Sequence, residues 1–498
     1  MARVSYSRRL EDLERRNPEE IHLVLEDRVV ARRELNQRAN RMARVFAEHG
    51  VMNGDTVTIC APNELSYFVA CLAVWKLGAI PNLLSASLPA AERLAIIEEA
   101  KPVLLFGVAE KVDGLPCLPL DFEPSQEVSA EPLPDRISPN ERALASGGST
   151  GRPKLIVSAN PASYDPASPA PFFVAERAVL VTGPTYHALP FCAAWYSLLG
   201  GQRTVVMRRF DPERCLQLIE EHGIDRVYFV PTMMQRIWRL PEEVRLRYDL
   251  SSLRAVLTGG APCPAWLMRA WIEWLGPNRI FEGYAPSERI GRTFISGAEW
   301  LEHPGSVGLP QDGCQIRILD ARGDDLPAGG VGDIYMRPAA GSGSTFHYRG
   351  ADRQTTRDGW ETVGDVGYLD HEGYLYICDR RVDLIIAGGR NIFAAEVEAA
   401  IDGHPAVESS AAIGLPDEDL GQRVHAIVHA PGGVSEEALA SYLEQQLIHY
   451  KRPKSYEFVD RPLRDDSGKM RRFALRAERI DDSATGRKLL ASELEGFE

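Results

Sequence analysis

Apolar residues along this chain recur in two rhythms, short continuous runs and stripes at three- and four-residue spacing, which predict strands alternating with helices. The run at 54–60 reads as a strand, 64–77 as a helix closing at Gly78, 89–100 as a second helix and 103–106 as a strand. The order returns at 179–182 and 204–207, then in the helix 212–222, the strand 226–230 and the stretch 255–262, a strand ending in glycines. Such alternation implies parallel sheets with helices on their faces. Over 8–50, basic and apolar residues fall at helical spacing, with Leu35, Ala39, Met42, Val45 and Phe46 in one stripe, predicting a packed surface helix. Past residue 305 the runs shorten and are punctuated by Gly, Pro and Asp, as in a small β-rich subdomain. The charged stretch Asp379-Arg-Arg-Val-Asp383 separates two further apolar strands, and compact α+β follows. The expected fold is therefore α/β, with a large N-terminal domain at 1–378 (its β-rich part at about 305–378) and a smaller C-terminal domain at 379–498.

Between two apolar runs lies Ser146-Gly-Gly-Ser-Thr-Gly-Arg-Pro-Lys154. Gly147, Gly148 and Gly151 allow close backbone approach to an anion, Ser146, Ser149 and Thr150 add hydroxyl donors, and Lys154 adds a compact positive charge. The loop is not a Walker A loop, because it is one residue short, Pro153 precedes the lysine and Leu155 follows it. Its setting is strand, loop, strand. Composition alone fits an ordinary surface turn equally well.

Composition narrows the partners. A chain of 498 residues is too long for one core, and its net charge of -14 argues against broad binding to nucleic acid or an anionic membrane. Small anions need only local positive charge. Eight cysteines stand singly, without a Cys-x-x-Cys pair, which suits a reduced, cytoplasmic protein. The first sixteen residues are charged and lack a signal-peptide core, and 67–79, interrupted by Lys76, reads as a buried helix, so no membrane insertion is expected. A homodimer is the candidate assembly. His425 and His429 have zinc-like spacing, but their apolar alternating surroundings read as a strand.

Ligands of open α/β sheets collect at the carboxyl ends of strands, which brings forward His187 after 179–182, Met233 and Met234 after 226–230, and Gly259 and Gly260 within 255–262. Each methionine is equally a core residue. Further stretches follow in order: Tyr284-Ala-Pro-Ser-Glu288, Gly364-Asp-Val-Gly367, Asp379-Arg380, Gly388-Gly-Arg-Asn-Ile-Phe-Ala-Ala-Glu-Val-Glu398, and a terminal segment ending in Gly468-Lys469. Together with the loop, this series resembles the adenylate-forming superfamily of acyl-CoA synthetases, adenylation domains and luciferases, over nearly the whole chain.

The resemblance implies ATP, magnesium and coenzyme A as cofactors and a small-molecule carboxylic acid as partner, joined through an acyl-adenylate. It assigns the hydroxyl of Ser287 to phosphate, Glu288 to magnesium, Asp365 to the ribose hydroxyls, Arg380 to the nucleotide and Lys469 to adenylation. Gly260, Ala261, Phe281, Glu282, Gly283 and Tyr284 match walls around adenine. Tyr186, His187, Met233, Met234, Gly259, Gly260 and Ala285 match the acyl pocket, and Gly388 and Gly389 the coenzyme A tunnel. A hinge at Val382, between Arg381 and Asp383, lets the C-terminal domain reorient for thioester formation. The expected activity is an acyl-CoA ligase for a bulky, cyclic acid. Competing readings are an enzyme acting mainly on preformed adenylate, an adenylation enzyme loading a carrier protein, and a non-catalytic nucleotide-binding relative. Ala285 and Pro286 depart from the motif's glycine and free residue, and are expected to crowd the turn presenting Ser287 and Glu288.

Overall fold

The protein is seen here as a computed structural model describing residues 3–26, 28–146, 154–167, 175–464 and 470–480. Within these residues two large sheets dominate. The first has six parallel strands in the spatial order Ile21–Leu25, Arg203–Val206, Ala178–Val181, Arg226–Phe229, Ala255–Gly259 and Ile280–Tyr284, with antiparallel strands at both edges. The second runs Cys117–Leu118, Leu104–Phe106, Thr56–Cys60, Ile80–Leu84 and Ala143–Ser146 in parallel, then Lys154–Ser158 and Phe346–Arg349 antiparallel.

Helices Tyr6–Arg16, Arg32–Glu48, Leu65–Lys76 and Ala188–Gly200 pack into the principal core. Leu65–Lys76 is apolar all round and is accordingly buried nearly all round. Its single charge, Lys76, is paired with Glu11 at 2.8 Å, which avoids an isolated buried ammonium. At the centre, the rings of Trp75 and Trp195 meet edge to face with centroids 4.5 Å apart.

Local chemistry explains why these elements start and stop where they do. Helix Pro212–His222 begins at Asp211, whose side chain accepts from the amide of Arg214, has proline in its first turn, and ends at Gly223 in the left-handed conformation. The stretch 8–50 departs from the expected single helix. Two helices occur there, separated by the hairpin Ile21–Leu25 and Arg28–Ala31. The run Ile-His-Leu-Val-Leu pairs with Arg203–Val206, and that burial outweighs the helical spacing of the flanking arginines. The stripe from Leu35 to Phe46 is buried as predicted.

The β-rich subdomain is a six-stranded antiparallel sheet whose last strand is Leu375–Arg380. A division after residue 378 would cut this strand, because Asp379 and Arg380 still pair with Val366 and Asp365. The chain leaves the sheet after Arg380, through the short 3-10 helix Arg381–Asp383. Beyond it, strands Ile385–Ala387, Arg390–Ile392, Ser409–Asp417, Gly421–His429 and Ser455–Val459 form a sheet with its own apolar core. His425 lies in this sheet with Nδ1 2.8 Å from Ser455 Oγ. The C-terminal unit touches the rest through Gln235 and Arg239, which both donate to the Asp402 carbonyl at 3.2 Å, and through Arg471 and Glu92 at 2.8 Å. Among the described residues no helix is long and apolar enough to cross a membrane. All eight cysteines are unpaired.

Candidate active site

Ser146 and Lys154 are ladder partners in an antiparallel pair of strands. Gly147, Gly148, Ser149, Thr150 and Gly151 themselves lie outside the described residues. Lys154 Nζ is 4.0 Å from Glu288 Oε1 and 4.0 Å from the ring centroid of Tyr348. Burial lowers the Lys154 pKa, Glu288 opposes that shift and Arg380 adds to it. Tyr348 comes from the neighbouring strand Phe346–Arg349 and donates its hydroxyl to Glu288 Oε1 at 2.5 Å. Tyr348 stands sixty residues beyond Glu288, outside every motif that carries the resemblance. An aromatic residue in a short strand there was its only signal.

A second cluster adjoins the first. Asp365 and Arg380 are direct ladder partners, with Arg380 Nε 3.3 Å from Asp365 Oδ1, while the Tyr284 hydroxyl donates to the other carboxylate oxygen. Burial raises the Asp365 pKa, against the opposing pull of Arg380 and Tyr284. A buried carboxylate already receiving two donors is suited to accept from a vicinal pair of hydroxyls. The Glu288 surroundings offer a single carboxylate beside a lysine. That donor set fits magnesium, which keeps most of its shell from phosphates and water and takes few protein ligands.

Around these clusters the carboxyl ends of the strands supply walls. Gly259 is needed for the strands to approach, since a Cβ there would sit 2.5 Å from the Gly283 carbonyl oxygen. Gly260 is exposed and Ala261 half-buried just beyond. Glu282 is buried on the adjoining strand, and burial pushes its pKa up to about 8 while the Cys263 amide pulls it down. In the unfolded chain this group titrates near its ordinary value. Its contribution to stability is therefore full below pH about 4.5 and is lost as pH rises towards about 8. Thermal unfolding followed between pH 5 and 8 should show Glu282→Gln flattening that decline, by on the order of a few kcal/mol.

His187 caps the start of helix Ala188–Gly200, its ring 4.6 Å from that of Tyr186. Met233 is buried, with its sulfur accepting from Thr182 Oγ1 at 3.4 Å. Met234 is completely buried beneath helix Ala265–Leu275, whose Trp271 donates to its carbonyl, so it belongs to the core and forms no open pocket wall. The expected crowding at Ala285 takes a different form: Ala285 is exposed, and the positive φ in this turn falls on Arg289, at 56°. Ser287 is half-buried. Gly388 and Gly389 both have positive φ, 57° and 71°, in the tight turn joining Ile385–Ala387 to Arg390–Ile392, as a two-residue hairpin turn of this type requires.

Lys469 lies outside the described residues, but both sides of its segment are fastened. Glu398, almost fully buried, pairs with Arg464 at 3.2 Å on one side and with Arg472 at 2.6 Å on the other. Arg472 starts helix Arg472–Ile480, and its guanidinium is committed to Glu398 and, at 2.8 Å, Asp383. Arg471 pairs with Glu92. Val382 is 57% exposed, between Arg381, which is bonded to Asp333 at 2.7 Å, and Asp383.

Magnesium ligation by Glu288 can be tested directly. Glu288→Gln keeps the acceptor for Tyr348 but removes the charge, so adenylate formation should fall by about 100-fold with thermal stability nearly unchanged. Pyrophosphate release and a melting curve are the two measurements, and full activity would remove Glu288 from the chemistry.

Comparison with known proteins agrees with this geometry. The AMP-binding enzyme family matches residues 10–342 and its C-terminal domain matches residues 396–469. The 2-succinylbenzoate–CoA ligase of Bacillus subtilis (strain 168) is 30% identical over 480 residues, covering 93% of this chain and 96% of the relative. Feruloyl-CoA synthase of an Amycolatopsis species is 33% identical over 464 residues, covering 88% and 91%. The o-succinylbenzoate coenzyme A synthetase from Bacillus subtilis, solved with its acyl-adenylate intermediate, superposes with a TM-score of 0.80 at 27% identity over 95% of this chain and 98% of that one. The same synthetase has been solved with ATP and a magnesium ion, and that structure gives a TM-score of 0.77 at 28% identity, over 94% and 98%. The chain belongs to the AMP-binding enzyme family, among its adenylate-forming acyl-CoA ligases.

Proposed function

We propose that the chain is an AMP-forming acid–thiol ligase that joins a bulky, ring-bearing carboxylic acid to coenzyme A in the cytoplasm. The observation carrying this reading is the proximity of two clusters, Lys154–Tyr348–Glu288 and Tyr284–Asp365–Arg380, close enough for Arg380 to act electrostatically on both Lys154 and Glu288. The first suits a triphosphate and the second a ribose. Between them the α-phosphorus would lie within reach of an acid entering past His187.

The acid's carboxylate attacks the α-phosphorus of ATP, forming the mixed anhydride and releasing pyrophosphate. Lys154 offsets charge on the phosphates, and Lys469 is proposed to meet the charge that develops at phosphorus. Magnesium, when bound, neutralises phosphate charge that would otherwise repel the incoming carboxylate. Asp365 and Arg380 hold the ribose, which fixes the angle of attack. Glu282, neutral at physiological pH because it is buried, has a proton to donate towards adenine. Reorientation about Val382 then clears the site for the thiol, which attacks the acyl carbonyl and expels AMP. Gly388 and Gly389 would allow the pantetheine arm close passage along the backbone.

Two aromatic-acid relatives, and the paired rings of Tyr186 and His187 among the residues that match an acyl pocket, support a ringed acid. A panel of acids assayed for pyrophosphate release, with and without coenzyme A, tests the proposal. Ringed or branched acids should turn over at least about ten-fold better than acetate or straight medium chains, as expected for one to three kcal/mol of extra apolar contact. Strong activity on acetate would sink this substrate class.

A further inference from the structure

Glu141 is a buried carboxylate that none of the preceding roles uses, and it is fastened through both its main chain and its side chain. It stands just before strand Ala143–Ser146, which leads into the glycine-rich segment, and is completely buried. Its amide donates to the Asn160 carbonyl at 2.8 Å, and its carbonyl accepts from Trp75 Nε1, at the centre of the principal core, at 2.9 Å. Its carboxylate accepts from Tyr6 Oη at 2.9 Å and from Ser158 Oγ at 3.3 Å. Two guanidiniums converge on its Oε1, Arg142 Nη1 and Arg289 Nη1, each at 2.8 Å. A buried carboxylate satisfied in this way rigidifies its surroundings and serves as a fixed point.

Arg289 is the chain neighbour of Glu288, and the two side chains part there. Glu288 lies against Lys154 and Tyr348, whereas Arg289 lies against Glu141 and, through Nη2, against Cys192 Sγ at 3.1 Å and Tyr196 Oη at 3.3 Å. The Arg289 amide donates to the Pro286 carbonyl at 2.9 Å, closing a turn with Ser287 and Glu288 at its two central positions. At the end of that turn Arg289 has a φ of 56°, which glycine adopts freely and a residue with a Cβ resists. Such a conformation persists where the surroundings impose it. Charge balance does not call for Arg289 at this place, because Arg142, with 2% of its side chain exposed, already pairs with the same oxygen. What Arg289 adds is a tie between the turn and the fixed carboxylate.

We propose that Arg289 is a positioning residue for Glu288: its ion pair with Glu141 fastens the Ser287–Glu288 turn to the core and so holds the Glu288 carboxylate ready for magnesium; this rests on the ligase reading above. The role is exerted through one peptide unit. Consecutive Cα atoms stand about 3.8 Å apart, so a fixed Arg289 leaves the Glu288 carboxylate little more than its own side-chain torsions to search. Magnesium demands near-ideal octahedral geometry, and loss of the tie is therefore felt at the metal before it is felt at the acid.

The test uses the full chain and measures ATP affinity by calorimetric titration, without acid, at saturating magnesium and in excess EDTA. The ratio of the two affinities reads the contribution of the metal with no turnover. Arg289→Met should lower that ratio by about ten-fold or more, the scale on which groups that orient a metal ligand act, and should leave the KM for the acid in place. Loss of positive charge alone would weaken metal-free ATP more than its magnesium complex and so raise the ratio. Glu288→Gln should lower the ratio at least as far, and the double variant no further, because both substitutions act on one carboxylate. Arg289→Met leaves Glu141 paired with Arg142; Arg289→Gly, which suits the φ of 56° but lacks the tie, should show the same loss and serves if the methionine variant does not fold. A ratio unmoved in the methionine or the glycine variant, or a further fall in the double variant, overturns the proposal and leaves the ligase reading standing. A ratio unmoved by Glu288→Gln overturns the proposal at its premise. Thioester formation by the wild type from ATP, coenzyme A and a panel of acids decides the ligase reading separately, and its absence with every acid overturns both.

Discussion

Lys469→Ala is expected to lower adenylate formation from ATP and acid by at least about 10³-fold, the scale of losing a charge aimed at a developing oxyanion. Conversion of supplied acyl-adenylate and coenzyme A to thioester should fall by less than about ten-fold, because the lysine acts in one orientation of the C-terminal domain. The substitution should leave the fold intact. The segment carrying the lysine is held on either side by Arg464 and Arg472 on Glu398, and neither contact involves residue 469. Val382→Pro should give the opposite profile. Fixing φ at the exposed middle of Arg381–Asp383 hinders rotation, so adenylation survives in part and thioester formation is impaired. Separate assays of the two half-reactions, pyrophosphate release and thioester formation from synthetic adenylate, check both. Equal losses in both steps for Lys469→Ala would count against division of labour.

Glu398→Ala carries the largest expected effect on stability. Its carboxylate receives Arg464, Arg472 and the amide of Ala412, with only 3% of the side chain exposed. Removing it leaves two guanidiniums and a backbone donor without their common acceptor, a loss on the order of 3–5 kcal/mol for the C-terminal unit. Urea unfolding should show this as a shifted transition for that unit, with the transition of the remainder little changed. Glu398→Gln should cost less, since the amide oxygen still accepts. Removal of Arg472 in the alanine background, by Arg472→Met, should restore part of the loss, whereas simple additivity would argue that the pairs are independent.

What the sequence made legible, and what it hid, follows from the range over which each signal acts. Helix Pro212–His222 was readable to the residue because its cap, its proline and its closing glycine are all local. Glu288, Asp365 and Arg380 could be singled out because short motifs carry them, and the fold brings them near one another, with Arg380 paired to Asp365 and acting electrostatically on Glu288. Residues 21–31 were obscured because their strand character depends on pairing with Arg203–Val206, a partner far along the chain. Tyr348 escaped for the same reason, since its contact to Glu288 is set by tertiary packing. The pairing of Arg472 could not be foreseen because nothing nearby in sequence shows that Glu398 is buried. Met233 and Met234 were left open between core and pocket wall, and the helix buries both, Met234 completely.

The stretch around Val382 has a mechanical consequence. Arg381 is bound to Asp333 of the preceding sheet and Asp383 to Arg472 of the following unit, so each neighbour of Val382 is clamped to a different body. The rotation proposed for the two bodies would thereby be concentrated into the φ and ψ torsions of one residue, a swivel with two degrees of freedom. Such a turn would have to release Gln235 and Arg239 from the Asp402 carbonyl and Arg471 from Glu92. The swing is steered by how two charged clamps aim the same short axle.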